Sequence, residues 1–322
     1  MVIVGWRKKT VKCFHKQLFI YFYVLLAMCF CVQSLHAQTT EHARVGELSL
    51  SVALGYGEKS NPLYKGDAFP LVIVPSIYYY GKNWYFDNGD LGVTLAEQQN
   101  FSVNLLASVN GEAAHFHDWH PANILVSRQF VQIDTPELGP EFDDEQSPSA
   151  GGDQSDKDEI EAPVDRVTEK IVYDQVAKRK WSLDTGVQIH WFVQANHQVK
   201  FRWMYDVTGV HQGHNSQLEY SYKLVNNQWR HKFKIGLDWL SSDLVDYYYG
   251  ISARDSQAEN LWYQPGDALL PYIGYASGYK ISQKWSWVLS AHYQQLTSEI
   301  ERSPIVAKDY RYTLFTGMKY VF

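Results

Sequence analysis

The sequence predicts an all-β protein: an antiparallel transmembrane β-barrel of twelve strands, with ten as the alternative, interrupted by one long acidic insertion. Three observations predict it. Apolar and polar residues alternate in seven separate segments of similar length, the period-2 pattern of a strand with two unlike faces. Aromatic residues are abundant, with 23 Tyr, 11 Trp and 15 Phe in 322 residues; barrel walls use them in girdles at both lipid interfaces. After Val32 no apolar run is long enough for a membrane-spanning helix, which needs about 17–25 residues.

The N-terminus says where such a barrel would go. Arg7, Lys8, Lys9, Lys12 and Lys16 precede an apolar run from Leu18 to Val32, which ends at Leu35-His36-Ala37. A basic stretch, a short apolar core and a small residue at the cut describe a secretory signal peptide. Residues 1–37 are therefore expected to be removed, leaving 38–322 as the barrel; an uncleaved anchor is the competing reading. Cys13, Cys29 and Cys31 all fall inside the signal segment, so the mature chain has neither a disulfide framework nor thiolate metal ligands. Leu26-Ala27-Met28-Cys29 half-matches a lipid-attachment site, but Met28 is bulky where a small residue is required, so a lipid anchor is not expected.

Taken in order, the expected strands are 45–57, 69–80, 83–95, 101–110, 181–194, 198–208, 215–226, 229–240, 244–252, 269–281, 284–297 and 309–322. The first alternates Leu48, Leu50, Val52 and Leu54 with Ser49, Ser51 and Ala53. Phe101, Val103 and Leu105 alternate with Ser102 and Asn104, and Val187, Ile189 and Trp191 with Gln188 and His190. Most of these segments have about the 9–11 residues that a tilted strand needs to cross a bilayer. Short connections at 81–83, 97–100, 194–197 and 226–227 are of hairpin size. Ser241-Ser242-Asp243 reads as a turn or a bend, which is why ten strands is the alternative.

In lipid the outer face must be apolar and every backbone group must pair, which a closed barrel achieves. The charged phase of the strands then faces inward. Lys200, Arg202, Asp206, Glu219, Lys223, Lys232, Lys234 and Asp238 are thus expected in the lumen. Opposite signs paired across strands would close it, whereas uncompensated bases would make an anion-preferring pore. In the last segment Tyr310, Tyr312, Leu314, Met318, Tyr320 and Phe322 share one phase and the chain ends on Phe, a pattern that resembles the signal read by the barrel-assembly machinery.

Residues 111–180 break the alternation and are expected to be a loop insertion. Between Val131 and Asp165 stand twelve Asp or Glu against the single base Lys157, a net charge of −11. With +5 in the signal segment and −6 overall, the rest of the chain is neutral. Such a composition buries too little apolar surface to order itself, so 133–165 is expected to be disordered, with a short element near Asn123–Gln132.

Candidate chemistry is sparse. His115, His117 and His120 with Asp118 form the densest group of metal-ligand types, the residues that hold Zn²⁺ or Cu²⁺ when second-shell contacts order them. The competing reading, a polar strand end entering a loop, is preferred, so no metal is expected. Asp206, His211 and His214 lie close in sequence, yet no motif fixes the nucleophile, base and orienter that a hydrolase needs. Neither a glycine-rich phosphate loop nor a basic nucleic-acid patch is present; no cofactor and no nucleic-acid partner are expected.

Several short stretches in order resemble the MipA/OmpV family. They are Gly55-Tyr56-Gly57, Trp84-Tyr85-Phe86-Asp87 with Leu91-Gly92, Asp206 through Gly213, Asp246 through Ile251, and Ser303-Pro304-Ile305-Val306 before the final strand. The resemblance covers the mature chain except the insertion. It implies an outer-membrane barrel without known catalysis, embedded in outer-membrane lipid. It also implies a scaffold for cell-wall enzymes, one member being described as joining a murein synthase to a lytic transglycosylase. A small-solute channel and, more distantly, an outer-membrane hydrolase are the rival expectations. With twelve strands and both termini periplasmic, the insertion, counted after the fourth strand, is expected to face the periplasm; with ten strands an extracellular insertion is the alternative.

Overall fold

The computed structural model describes residues 46–125 and 170–322; the signal segment, the three cysteines and most of the acidic stretch, 133–165 included, lie outside them. Twelve strands close into an antiparallel barrel in which each strand pairs with its sequence neighbours and the first pairs with the last. They are β1 (Leu48–Lys59), β2 (Phe69–Tyr80), β3 (Trp84–Asp87), β4 (Asp90–Gln98), β5 (Phe101–Val109) and β6 (Leu183–Gln194). The second half is β7 (His197–Asp206), β8 (His214–Asn226), β9 (Trp229–Leu240), β10 (Ala268–Lys280), β11 (Trp285–Gln295) and β12 (Tyr310–Val321). Among the described residues no helix is long and apolar enough to cross a membrane.

The wall inverts the pattern of a soluble protein. Leu54 is 53% exposed, Ile273 47%, Leu237 41% and Ile189 37%, while the alternate positions Ser51, Asn104, Asp184 and Glu219 are buried. Hydrocarbon, not water, is the solvent that this outer face suits. Aromatic pairs ring both rims: Tyr79–Trp84 at 4.5 Å, Trp229–Tyr279 at 4.9 Å and Trp285–Tyr320 at 4.9 Å near one, and Trp239 with His214 at 5.2 Å and Tyr293–Tyr310 at 5.9 Å near the other.

The two rims are connected differently. Both ends of the strand array and the tight connections 81–83, 99–100, 195–196, 227–228 and 281–284 lie at one rim. The longer connections 60–68, 207–213, 241–267 and 296–309, with 110–125 and 170–182 of the connection between β5 and β6, lie at the other, where they fold into a cap. The cap has an apolar core that runs on into the ends of β9 and β10 at Leu240, Ala268 and Leu270. Leu244, Val245, Tyr248 and Tyr249 pack with Leu63, Ala113, Ile300, Ile305 and Val306, all buried. Arg179, 1% exposed, ties this core together, donating to the carbonyls of Ala177, Tyr248 and Gly250 and to Asp255 at 2.7 Å. The Ser303-Pro304-Ile305-Val306 stretch belongs here: Ser303 Oγ donates to the Tyr249 carbonyl at 2.6 Å, and Leu63 bridges to Val306.

The count of twelve holds, but two elements differ from the sequence reading. Segment 83–95 is two strands, not one. Asn88 and Gly89 both take positive φ, 47° and 101°, the two left-handed residues of a type I′ hairpin turn. Segment 244–252 is not a strand: Ser242–Tyr249 forms a helix (α2, following the short α1, Pro121–Ile124). Leu244, Val245, Tyr248 and Tyr249 recur at helical spacing, and Asp267 accepts from the Ser242 N–H at 2.7 Å, satisfying one donor of the first turn. The first difference moves the insertion. It follows the fifth strand and not the fourth, so it leaves the barrel at the capped rim, away from the termini, and the count from which the periplasmic placement was expected is corrected. Its flanks 111–125 and 170–182 are part of the cap rather than a free loop.

Candidate functional site

The lumen is the candidate site. A cavity of about 340 Å³ runs inside the wall, with a lining of six Lys or Arg and five Asp or Glu. Seven of these eleven charges are joined in ion pairs, between strands or between wall and cap. Arg202 grips Asp90 with two bonds, 2.9 and 3.3 Å. Arg311 grips Glu112 with two of 2.9 Å and donates to Gln294 at 2.6 Å. Asp238 accepts from Gln217 at 2.9 Å and Gln294 at 2.7 Å. Glu219 lies 3.3 Å from Lys200 and 3.6 Å from Lys234 and accepts the Tyr272 hydroxyl at 2.8 Å. Such fork and bridge geometries fix strands to one another as well as neutralising charge.

Two glycines make this packing fit. A Cβ on Gly236 would stand 2.3 Å from the Tyr272 ring, and one on Gly92 2.2 Å from Tyr85. Each glycine leaves a recess in the inner wall over which a tyrosine lies, and the first recess is what lets the Tyr272 hydroxyl reach Glu219.

Glu112 and His115 carry the link from wall to cap. They form a 3-10 turn just after β5. Burial would raise the Glu112 carboxyl, but Arg311 outweighs it and, with His115 and the Tyr249 hydroxyl at 2.5 Å, brings it down to about 2. For His115, burial and then Arg311 hold the ring well below its ordinary value. The neutral ring faces Arg311 Nη1 at 2.9 Å.

The three histidines of the insertion do not converge. His117 Nε2 meets the Arg179 carbonyl at 2.5 Å. His120 Nδ1 accepts from the Ala122 N–H at 3.1 Å, capping α1. With His115 on Arg311, each ring has a separate structural task. A different set gathers elsewhere: Asp184, Asp206 and His211, all buried, with ligand-type atoms within 4.8 Å of one another. Its hydrogen bonds are internal. Asp206 accepts from the N–H groups of Thr208, His211 and Gln212 and so folds the 207–213 loop. Asp184 accepts from Asn110, Asn215 and Ser182. His211 joins Asp184 through Nε2 at 3.2 Å, while its Nδ1 accepts from the Gly213 N–H. No ring nitrogen remains to activate a nucleophile, and His214 lies instead against Trp203 and Trp239.

Of the residues expected in the lumen, Lys200, Arg202, Glu219, Lys232, Lys234 and Asp238 line the cavity. Lys223 stands on the same inner face, opposite Lys232, and Asp206 is in the loop-folding cluster at the capped rim. Sequence reasoning missed Arg311, Glu112, Asp90 and Lys59. Arg311 was readable, being on the inner phase of the last strand beside the aromatic outer phase. Asp90 was hidden by reading 83–95 as one strand. Lys59, which donates to Asn123 Oδ1 at 2.8 Å, and Glu112 take their partners across long stretches of chain and carry no local signal.

Comparison with known proteins agrees with this architecture. The MltA-interacting protein of Escherichia coli is 35% identical over 89 residues, 27% of this chain and 36% of that protein. YiaT of Escherichia coli is 24% identical over 285 residues, 87% of this chain and 93% of that one. The outer membrane protein OmpV of Vibrio cholerae is 24% identical over 144 residues, 42% and 56% of the two chains. The match to the first of these thus spans little more than a third of its length. The sequence model of the family described as MltA-interacting protein MipA matches residues 50–322, from the first strand to the terminal Phe, and the chain belongs to this family of outer-membrane β-barrel proteins.

Proposed function

We propose that the protein is a non-conducting outer-membrane barrel that serves as a scaffold for murein-synthesising and murein-cleaving enzymes. The observation that carries the first half is the cap: one rim is closed by a buried apolar core and fastened to the wall through Arg311 and Glu112. The ion-paired lumen beneath it supports the same reading, because a conducting pore keeps charge available to moving ions. The second half rests on one relative, the MltA-interacting protein of Escherichia coli. In bacterial barrels short turns face the periplasm and longer loops the outside. The scaffold surface is therefore the rim of tight turns, and the acidic insertion points away from the cell wall. The test is a pull-down with the full chain from detergent-solubilised membranes, with identification of what is bound. A murein synthase and a lytic transglycosylase are the expected partners; recovery of neither overturns the scaffold.

The small-solute channel is favoured by one observation, the cavity of about 340 Å³. Single-channel recording in planar bilayers decides between the two, with no steady opening expected.

A further inference from the structure

The two rims differ in chemistry as well as in loop length. Exposed side chains of the capped rim include the charged Lys65, Asp67, Lys178, Lys180, Arg254 and Glu301. The tight turns carry little charge. In or within two residues of the connections 81–83, 99–100, 195–196, 227–228 and 281–284, the exposed charges are Lys82, Glu97 and Lys284. Ten exposed side chains there are amides, five Gln and five Asn, and every turn has at least one. Turn geometry accounts for asparagine, which tolerates the left-handed region that Asn227 occupies at φ 52°. It does not account for Gln98, Gln99, Gln194, Gln228 and Gln283, because glutamine is not a turn residue. Nor does solubility, which charged side chains serve.

Depletion of charge on an exposed surface marks an interface, and the groups that remain decide the partner. Protein interfaces are dominated by aromatic and Arg anchors; these turns supply amides in their place. Each amide offers two donors and an acceptor and carries no charge, which matches the hydroxyl and acetamido groups of a sugar. Gln228 shows how one is held. Its Oε1 accepts the Tyr279 hydroxyl, which fixes the side chain and leaves the amide N–H groups for an outside acceptor. Five turns repeat such groups around a closed ring, so a repeating polymer engages several at once and weak single contacts reinforce one another through effective concentration. We propose that the tight-turn rim binds a glycan of N-acetylated sugars, the backbone chemistry of murein. The inference rests on the orientation used for the scaffold reading, tight turns in the periplasm, and gives a scaffold a second hold, on the substrate of the enzymes it gathers.

Cosedimentation of the purified full chain, in lauryldimethylamine oxide, with isolated murein sacculi and with chitin tests the face; chitin is a glycan of the same kind without peptide stems. Binding to both is expected, and it is expected to persist at high salt, because no ion pair carries it. Gln228→Ala is expected to weaken it about threefold, the loss of one hydrogen bond. The combined Gln98→Ala, Gln99→Ala, Gln228→Ala and Gln283→Ala variant is expected to weaken it about a hundredfold. Heat-modifiable gel mobility verifies that each variant folds, and if the combined variant does not, Gln98→Ala with Gln99→Ala decides, with a loss of about tenfold expected. No binding by the native chain, binding to sacculi but not to chitin, loss at high salt, or native affinity in the folded combined variant would overturn the glycan face. Enzyme capture without glycan binding overturns this inference alone, and glycan binding with no enzyme captured overturns the scaffold alone.

Discussion

The cap and the wall of this barrel obey opposite rules within one chain. In the cap, Leu244, Tyr248, Ile300 and Ile305 are fully buried, an apolar interior like that of a protein that folds in water, and the buried charges Arg179 and Glu112 are ion-paired. In the wall, Ile189, Leu237 and Leu314 point out and Lys234, Glu219 and Arg202 point in. Each solution follows from its solvent. The comparison also locates the weakest design point, the seam where a lumenal base from the wall meets an acid from the cap. Arg311 on β12 and Glu112 after β5 form that seam, both with little exposure.

Breaking the seam is expected to have the largest effect. Arg311→Met leaves Glu112 buried without its partner, and uncompensated buried charges cost about 3–5 kcal/mol. Loss of cap structure with the barrel wall retained is the expected pattern. Protease sensitivity of the 241–267 connection, read beside heat-modifiable gel mobility of the whole, measures it; equal loss of both would make cap and wall one cooperative unit.

The next test sets the two rules side by side. Leu244→Ala empties space in the cap core and is expected to cost about 2–5 kcal/mol of cap stability. Ile189→Arg places a charge on the lipid face and is expected to cost about 2–4 kcal/mol of barrel stability. The neighbouring inner position takes Gln188→Arg at much smaller cost. Urea-dependent folding into lipid vesicles compares the last two, and equal cost on both phases would contradict the assignment of faces.

That face assignment was legible from the sequence because alternation is a local signal: Val187, Ile189 and Trp191 against Gln188 and His190 is enough. Local signals also existed where the reading failed. Asn88-Gly89 is a two-residue hairpin turn by composition, but it is flanked by too few residues, four in β3, for alternation to show. Ser242–Tyr249 carries helical spacing inside a barrel sequence, and the expectation of strands overrode it. The two errors offset in the strand count but not in the topology, which is why twelve was right while the insertion came out at the wrong rim. The lumenal pairs were legible as a set of inward charges and not as pairs, because Arg311 and Glu112 are brought together only by closure of the barrel.

Acidification sharpens the comparison, because it acts on the seam. The folded value of His115 lies well below the ordinary 6.5, so its contribution is present above about pH 6.5 and is lost as pH falls below that. Glu112, at about 2 against an ordinary 4.5, contributes above about pH 4.5 and loses that contribution as pH falls toward 2. Cap stability is therefore expected to decline in two stages on acidification, each with a slope of at most about 1.4 kcal/mol per pH unit. His115→Gln removes the upper stage alone; a cap equally stable at pH 7 and pH 5 would contradict the link.

The smallest effect is expected from the acidic insertion, and it bears on which rim faces the cell wall. Removing 133–165 shortens a connection whose flanks are already held, 111–125 through Asn123 and Lys59 and 170–182 through Arg179. Loop length enters closure entropy only logarithmically, so stability should change by about 1 kcal/mol or less. The deletion also separates function from fold. Because β5 ends at the rim away from both termini, the insertion emerges beside the cap, and with periplasmic termini that rim is the cell exterior. Protease added to intact cells is expected to cut within Glu141–Asp165, and the deletion is expected to leave capture of murein enzymes unchanged. Protection of that stretch in intact cells, with cleavage only after the outer membrane is opened, would reverse the barrel and transfer the scaffold surface from the tight turns to the cap.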